Sequence, residues 1–193
     1  MFDFYFEKFN EKAPVATTDK ALISKHLSLK SLKKKDILLQ EGAVCKHTFF
    51  VQKGMLRAYT IDENGNEHIV QFAPEGWHIA DLYSFFTEEP ATLFIDAVED
   101  SEIILIAKED HEILLSQSHC YETFTRELIT AAYVALQQRF NSSMSSSPDM
   151  CYSDFMNRYP NIANRVPQHM IASYLGLTPE TLSRVRRRIA KAK

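Results

Sequence analysis

The chain has 193 residues, of which 45% are hydrophobic and 24% charged, enough for one large or two small domains. No run approaches the roughly 18 apolar residues of a membrane helix, and the N-terminus lacks the basic region of a signal peptide, so the sequence predicts a cytoplasmic protein without a membrane partner. Its three cysteines are scattered and odd in number, which indicates reduced thiols rather than a disulfide framework.

The net charge of −3 is divided unevenly along the chain. From residue 145 onward there are eight Lys or Arg and three Asp or Glu, a net charge of +5, so the preceding residues carry −8. A basic terminal segment on an acidic body favours a nucleic-acid-binding module joined to a sensor or oligomerisation module.

The N-terminal part has the pattern of an antiparallel β domain. Helical spacing over residues 17–29 predicts one helix, and from residue 35 the period becomes that of strands. The β-rich runs are at residues 37–39, 48–51, 55–61, 68–73, 93–98 and 102–107. An Asn-Gly pair at residues 64–65 predicts a hairpin. Many short strands at this spacing predict a β-barrel or jelly-roll over residues 1–118.

Helical periodicity returns with a short helix at residues 109–116 and a long one at 119–144. Two apolar stripes adjoin on the long helix. The first consists of Tyr121, Phe124, Leu128, Ala131 and Ala135, and the second of Ile129, Tyr133, Leu136 and Phe140. We expect one stripe to cover the barrel and the first stripe to form a homodimer interface; the alternative is one wide buried face in a monomer. The serine-rich residues 142–148 predict a hinge.

The strongest pattern lies in the predicted C-terminal domain, residues 145–193, where two short helical patterns meet at Gly176. This glycine suits the left-handed position just after a helix. Thr178 is a good N-cap for the second helix, and Pro179 suits its first position. The apolar residues of the two helices are Ile171 and Leu175, then Leu182, Val185 and Ile189. Together these features predict an all-α helix-turn-helix domain, and the overall fold class is α+β.

The opposite face of the second helix carries groups that suit DNA. Glu180 can accept a hydrogen bond from cytosine, and Arg184 can bind guanine as a fork. Thr178, Arg187, Arg188 and Lys191 are the predicted phosphate contacts. The alternative is a solvated basic helix end, which explains the arginines but not the glycine, the cap and the apolar stripes together.

The order of these elements is similar to that of the Crp/Fnr family of bacterial transcription regulators, over roughly residues 18–190. The resemblance rests most firmly on the Gly-Asn-Glu hairpin at residues 65–67 and on Glu-Thr-Leu-Ser-Arg at residues 180–184, which matches the family's Glu-x-x-Ser-Arg recognition pattern. It implies that Glu180, Ser183 and Arg184 read base edges in a palindromic double-stranded site. RNA polymerase is a candidate partner. Because Lys193 closely follows the recognition helix, the family's β-wing is expected to be reduced or absent.

The resemblance also implies a degenerate effector pocket. In members that bind cyclic AMP, a Gly-Glu pair and a later Arg-Ser pair hold the ribose and the phosphate. Here the corresponding pairs are Ala80-Asp81 and Ala91-Thr92, so the arginine that would pair with a phosphate is missing. Asp81 would repel a phosphate. We therefore expect no cyclic nucleotide and no other cofactor, and the effector is unknown.

Two other functions are alternatives to DNA binding. A metal-dependent cupin-type enzyme needs a His-x-His pair and a Glu that converge on one metal. His47, His68 and His78 do not form such a pair, so we predict neither an enzyme nor a metal site. The other alternative is a small-molecule sensor of the same fold that has lost specific DNA binding, and the intact base-reading positions argue against it.

Overall fold

The computed structural model describes residues 1–191, and contacts within the chain divide it into two compact units. The first unit consists of Met1–Ala58 and Phe72–Ala132. The second consists of Tyr59–Gln71 and the chain from Tyr133 onward. Two of the strands and the longest helix run from one unit into the other.

The β domain is built from two four-stranded sheets. Its strands are β1 (Ser28–Leu32), β2 (Ile37–Leu39), β3 (His47–Lys53), β4 (Met55–Ile61), β5 (Glu67–Pro74), β6 (His78–Ile79), β7 (Phe94–Ala97) and β8 (Ser101–Ala107). One sheet has the order β1-β8-β3-β6 and the other β2-β7-β4-β5. Registered pairs such as β1 with β8 and β3 with β8 are antiparallel. The predicted jelly-roll is confirmed.

Side chains on β3 alternate between two apolar clusters of the first unit. Phe49 and Val51 join the core cluster that also holds Leu56, Phe85 and other buried residues. Phe50 points to the opposite side, into a second cluster formed with helical residues. This alternation is the period-2 pattern of a strand with both faces buried, so the barrel has an inner core and an outer, helix-covered face.

The helices of the first unit are α1 (Asp3–Asn10), α2 (Thr17–Ser24), α3 (Leu82–Thr87), α4 (Lys108–Gln117) and the first part of α5 (His119–Ser145). Helix α1 was not predicted from the sequence. In the structure Tyr5 and Phe9 of α1 are fully buried, and the Phe9 ring stacks on Phe124 with centroids 4.1 Å apart. Aromatic residues at helical spacing were the available signal for α1.

The packing of α1 corrects the predicted dimer interface. Tyr121 and Phe124 belong to the same buried cluster as Tyr5, Phe9 and Phe50, and both are less than 5% exposed. Their side chains are therefore covered by the protein's own chain and are not accessible to a second copy. The stripe that covers the barrel is the first one, at least over its first two residues.

The predicted helix over residues 17–29 is too long. Helix α2 ends at Ser24, and residues 28–32 form β1 on the edge of the first sheet. Leu29 pairs with Ile104 and Lys30 with Ile103 of β8. The backbone bonds to β8 override the local helical spacing, which is a weak preference when a sheet edge is available.

The serine-rich segment is mostly helical, which corrects the predicted hinge. Helix α5 continues to Ser145, and α6 begins at Pro148. The hydroxyls of Ser143 and Ser145 donate to the carbonyls of Phe140 and Asn141, at 2.7 and 2.8 Å, so they bond within the helix. Ser147 then caps α6, because its Oγ accepts from the N–H of Met150.

The remaining helices all lie in the second unit. They are α6 (Pro148–Arg158), α7 (Pro160–Ala163), α8 (Gln168–Tyr174) and α9 (Pro179–Lys191). The buried side chains of α6 are Tyr152 and Phe155, and α6 and α8 both pack against α9. Beyond the long helix this part of the described chain is helical, as the sequence predicted.

Candidate nucleic-acid interface and effector pocket

The turn between α8 and α9 has the predicted geometry. Gly176 adopts φ +68°, its N–H donates to Ser173, and the N–H of Leu177 donates to Ala172 at 2.9 Å. This pair of bonds is a Schellman motif, which satisfies the last carbonyls of α8 and turns the chain. Thr178 caps α9, because its Oγ1 accepts from the N–H of Thr181 at 3.2 Å.

Replacing Gly176 by Ala should destabilise the protein by about 1–2 kcal/mol. A Cβ at this position would meet nothing within 4 Å, so the expected cost comes from the left-handed backbone alone. Urea unfolding measures this loss of stability. Gly42→Ala is the comparison variant and should cost a similar amount, since Gly42 also has a positive φ (+83°) and open space around it. A Gly176→Ala protein as stable as the wild type would show that this turn relaxes without strain.

Helix α9 separates its apolar and polar faces as predicted. Leu182 and Val185 are buried against the body of the second unit, as are Ile171 and Ala172 of α8. The exposed residues opposite them are Glu180, Ser183, Arg184, Arg187 and Lys191. The predicted base-reading residues and two of the predicted phosphate contacts therefore share one exposed face.

The polar groups of this face are held only by short-range contacts. The backbone N–H of Glu180 and the hydroxyl of Thr178 lower the pKa of the Glu180 carboxyl, with a further contribution from Arg184. Glu180 is thus an acceptor at neutral pH. Arg184 Nη2 donates to Thr181 Oγ1 at 3.3 Å, and Arg187 Nη2 donates to Ser183 Oγ at 3.4 Å. These long bonds to hydroxyls leave both guanidinium groups able to change partners.

Arg188 is placed differently from the other predicted phosphate contacts. Its Nε and Nη2 donate to the two carboxylate oxygens of Asp149 on α6, at 3.1 and 2.6 Å. In this structure Arg188 therefore pairs with a carboxylate of another helix, whereas Arg184 and Arg187 bond to hydroxyls of α9 itself. Position on the helix alone did not reveal this, because the acid that binds it comes from another helix.

The predicted effector pocket brings its two residue pairs together around Asp81. The carboxylate of Asp81 accepts hydrogen bonds from the N–H groups of Ser84 (3.0 Å), Thr92 (2.9 Å) and Leu93 (3.2 Å). Asp81 is almost fully buried and caps the six-residue helix α3. The backbone donors that could bind an anionic ligand are thus already occupied by a carboxylate of the protein itself.

The two alanines of the predicted pocket lie against the apolar core. Ala91 is buried in the core cluster with Phe85, and Ala80 packs against the same cluster. Ala91, where the resemblance implies that a phosphate-binding arginine is missing, therefore contributes a methyl group to the core. Among residues 1–191, no group of three His, Cys, Asp or Glu side chains is arranged to hold a metal ion.

Sequence reasoning missed Ser173 and Arg139, which bond to backbone groups in the second unit. Ser173 Oγ on α8 donates to the Glu67 carbonyl at 2.8 Å and accepts from the N–H of Ile69 at 2.9 Å. Arg139 on α5 donates to the Val70 carbonyl and lies 4.4 Å above the ring of Tyr174. Partners this distant in sequence leave no local signal.

Most of the large exposed apolar side chains of α5 lie on the second stripe. Ile129, Tyr133, Leu136 and Phe140 are each at least 40% exposed, and Met144 continues the same face at 74%. On the first stripe Ala131 and Ala135 are exposed and Leu128 is half-buried. Large apolar side chains in a row on a solvent-facing helix are typical of an interface with another protein chain.

Comparisons with known proteins agree with this architecture. Residues 29–118 match the cyclic nucleotide-binding domain family. A search of the curated proteins by sequence found no significant match. None of the described helices is both long and apolar enough to span a membrane.

Several solved structures have the same fold over most of the chain. A putative transcriptional regulator of the Crp/Fnr family from Eubacterium rectale is 21% identical, with a TM-score of 0.69 over 92% of this chain and 85% of that one. FixK2 from Bradyrhizobium japonicum is 19% identical, with a TM-score of 0.70 over 86% and 85%. The c-di-GMP-responsive global regulator CLP of Xanthomonas campestris is 10% identical, with a TM-score of 0.71 over 92% and 93%. These findings confirm the predicted resemblance: residues 29–118 match the cyclic nucleotide-binding domain family, and the chain shares its fold with solved transcription regulators of the Crp/Fnr type.

Proposed function

We propose that this protein is a homodimeric, sequence-specific DNA-binding transcription regulator that acts in the cytoplasm. The observation that carries the proposal is the exposed face of α9, where Glu180, Ser183 and Arg184 stand together opposite the buried Leu182 and Val185. A helix with this arrangement, preceded by a capped turn, presents acceptor, hydroxyl and fork-shaped donor groups to base edges in the major groove. Thr178, Arg187 and Lys191 would contact phosphates, and RNA polymerase is a candidate partner at the promoter.

The exposed apolar face of α5 supports dimerisation. We propose that the second stripe, extended by Met144, packs against its copy in a partner subunit, with Ala131 and Ala135 beside it. A twofold dimer places two copies of α9 about one turn of the double helix apart, roughly 34 Å. The DNA site should therefore be a palindrome with two half-sites at that spacing.

Selection from a randomised DNA library tests the proposal directly. The wild-type protein should enrich a palindromic duplex in which each half-site contains a guanine that Arg184 reads. Enrichment of no sequence, together with equal affinity for all duplexes, would favour a nonspecific basic surface. Absence of any DNA binding would favour the sensor that has lost its DNA-binding function.

We also propose that the barrel does not bind cyclic nucleotides. Without an arginine on the phosphate, a cyclic nucleotide loses a charge-assisted interaction of about 1.5–3 kcal/mol, which corresponds to roughly 10- to 150-fold in affinity. The Asp81 carboxylate adds repulsion at the backbone donors that it occupies. Titration calorimetry with cyclic AMP and cyclic GMP should detect no binding at micromolar concentrations. A micromolar dissociation constant would overturn the assignment of Asp81 and Ala91.

A further inference from the structure

The pairing of Arg188 with Asp149 distinguishes this arginine from its neighbours on α9. Arg188 donates through Nε and Nη2 to both oxygens of one carboxylate, at 3.1 and 2.6 Å. Arg184 and Arg187 instead bond to the neutral hydroxyls of Thr181 and Ser183. A two-bond pair between guanidinium and carboxylate is charge-assisted and has the geometry in which arginine also binds a phosphate. Arg188 is therefore bound by a charged partner, whereas Arg184 and Arg187 are bound only by neutral ones.

The pair lies at the surface and does not form part of a core. The Arg188 side chain is 64% exposed and that of Asp149 is 37% exposed. An exposed ion pair contributes about 0–1 kcal/mol to stability. Helices α6 and α9 already pack together, with Tyr152 and Phe155 buried on one and Leu182 and Val185 on the other. The ion pair between Arg188 and Asp149 therefore contributes little to the stability of the fold.

The position of the pair relates it to DNA. Arg188 follows Arg184 by one turn of α9, on the flank of the exposed face, so a duplex seated on that face brings phosphates near it. Because DNA carries about one negative charge per 1.7 Å of helix axis, a phosphate there must compete with the Asp149 carboxylate for the same guanidinium.

We propose that Asp149 acts as an internal substitute for a DNA phosphate: it holds Arg188 and thereby limits the affinity of the protein for the duplex backbone. The inference rests on the proposed DNA-binding function. With Arg188 held, a smaller part of the binding energy comes from phosphates, which carry no sequence information, and the contribution of the base-reading residues becomes relatively larger.

Asp149→Asn tests the inference because it removes the charge and keeps the shape. The variant should bind random and specific duplexes more tightly than the wild type at about 50 mM salt. Its affinity should fall about threefold more than that of the wild type between about 50 and 200 mM salt, the dependence expected of one added phosphate contact. Fluorescence anisotropy at several salt concentrations measures both quantities.

A matched control separates this local effect from a general change of charge. Asp154→Asn removes one negative charge from the same helix at another exposed position and should leave the salt dependence unchanged. In the double variant Asp149→Asn, Arg188→Ala, the gain should be lost, and the affinity should equal that of Arg188→Ala alone.

The outcomes distinguish this inference from the proposed function. If wild-type protein binds DNA and Asp149→Asn binds equally or more weakly, the inference is overturned, and weaker binding would indicate that Asp149 positions α9. An equal gain from Asp154→Asn would also overturn it, since the effect would then be general electrostatics. If the wild type binds no DNA at any salt concentration, the proposed function itself fails.

Discussion

Replacing Leu136 by Glu should convert the protein from a dimer to a monomer and nearly abolish its binding to palindromic DNA. Leu136 is 61% exposed in the single chain, so the fold tolerates the change, but in a dimer the new charge would be buried against its own copy. An unpaired buried charge costs several kcal/mol, and the twofold symmetry of the dimer would bury two such charges at the centre of the apolar interface. Loss of the second half-site then removes a linked contact worth roughly 10²- to 10⁴-fold in affinity.

Analytical ultracentrifugation and gel shift measure the two effects. Ala131→Glu is the comparison variant, because Ala131 is also exposed but belongs to the first stripe, at the edge of the proposed interface, so its effect should be smaller. Dissociation by Leu136→Glu with little effect of Ala131→Glu would place the second stripe at the centre of the interface. The reverse result would indicate that the first stripe is at the centre of the interface. A wild-type protein that is monomeric at micromolar concentration would contradict the proposed homodimer.

Replacing Arg184 by Ala should reduce affinity for the specific site by about 1–3 kcal/mol and relax the preference for guanine at one position of each half-site. Arg184 would exchange its hydrogen bond to the neutral hydroxyl of Thr181 for hydrogen bonds to guanine. Arg187→Ala should instead weaken specific and random duplexes alike and lower the salt slope by about one unit, because a phosphate contact carries no sequence information.

Competition binding with single-base variants of the selected site distinguishes the two arginines. The comparison is internally matched, since both substitutions remove one positive charge from the same face of the same helix. Indistinguishable effects on specific and random DNA would identify α9 as a nonspecific basic surface. The transcription-regulator proposal would then lose its main support.

Much of the architecture could be predicted because local chemistry determines it. The left-handed position of Gly176, the cap at Thr178 and the Asn-Gly hairpin each depend on residues within a few positions of one another. The alternation of β3 and the apolar face of α9 are likewise periodic, so the strands and the exposed candidate site followed from the sequence.

The sequence could not determine which distant part of the chain each helix, strand or side chain would contact. Both stripes of α5 are apolar, and packing against α1 and the barrel, with Phe9 stacked on Phe124, turns the start of the first stripe inward. Residues 28–32 become a strand because β8 offers them backbone bonds. Arg188 is drawn to Asp149, 39 residues away. In each case competing local preferences differ by little, and a contact made by distant parts of the chain selects between them.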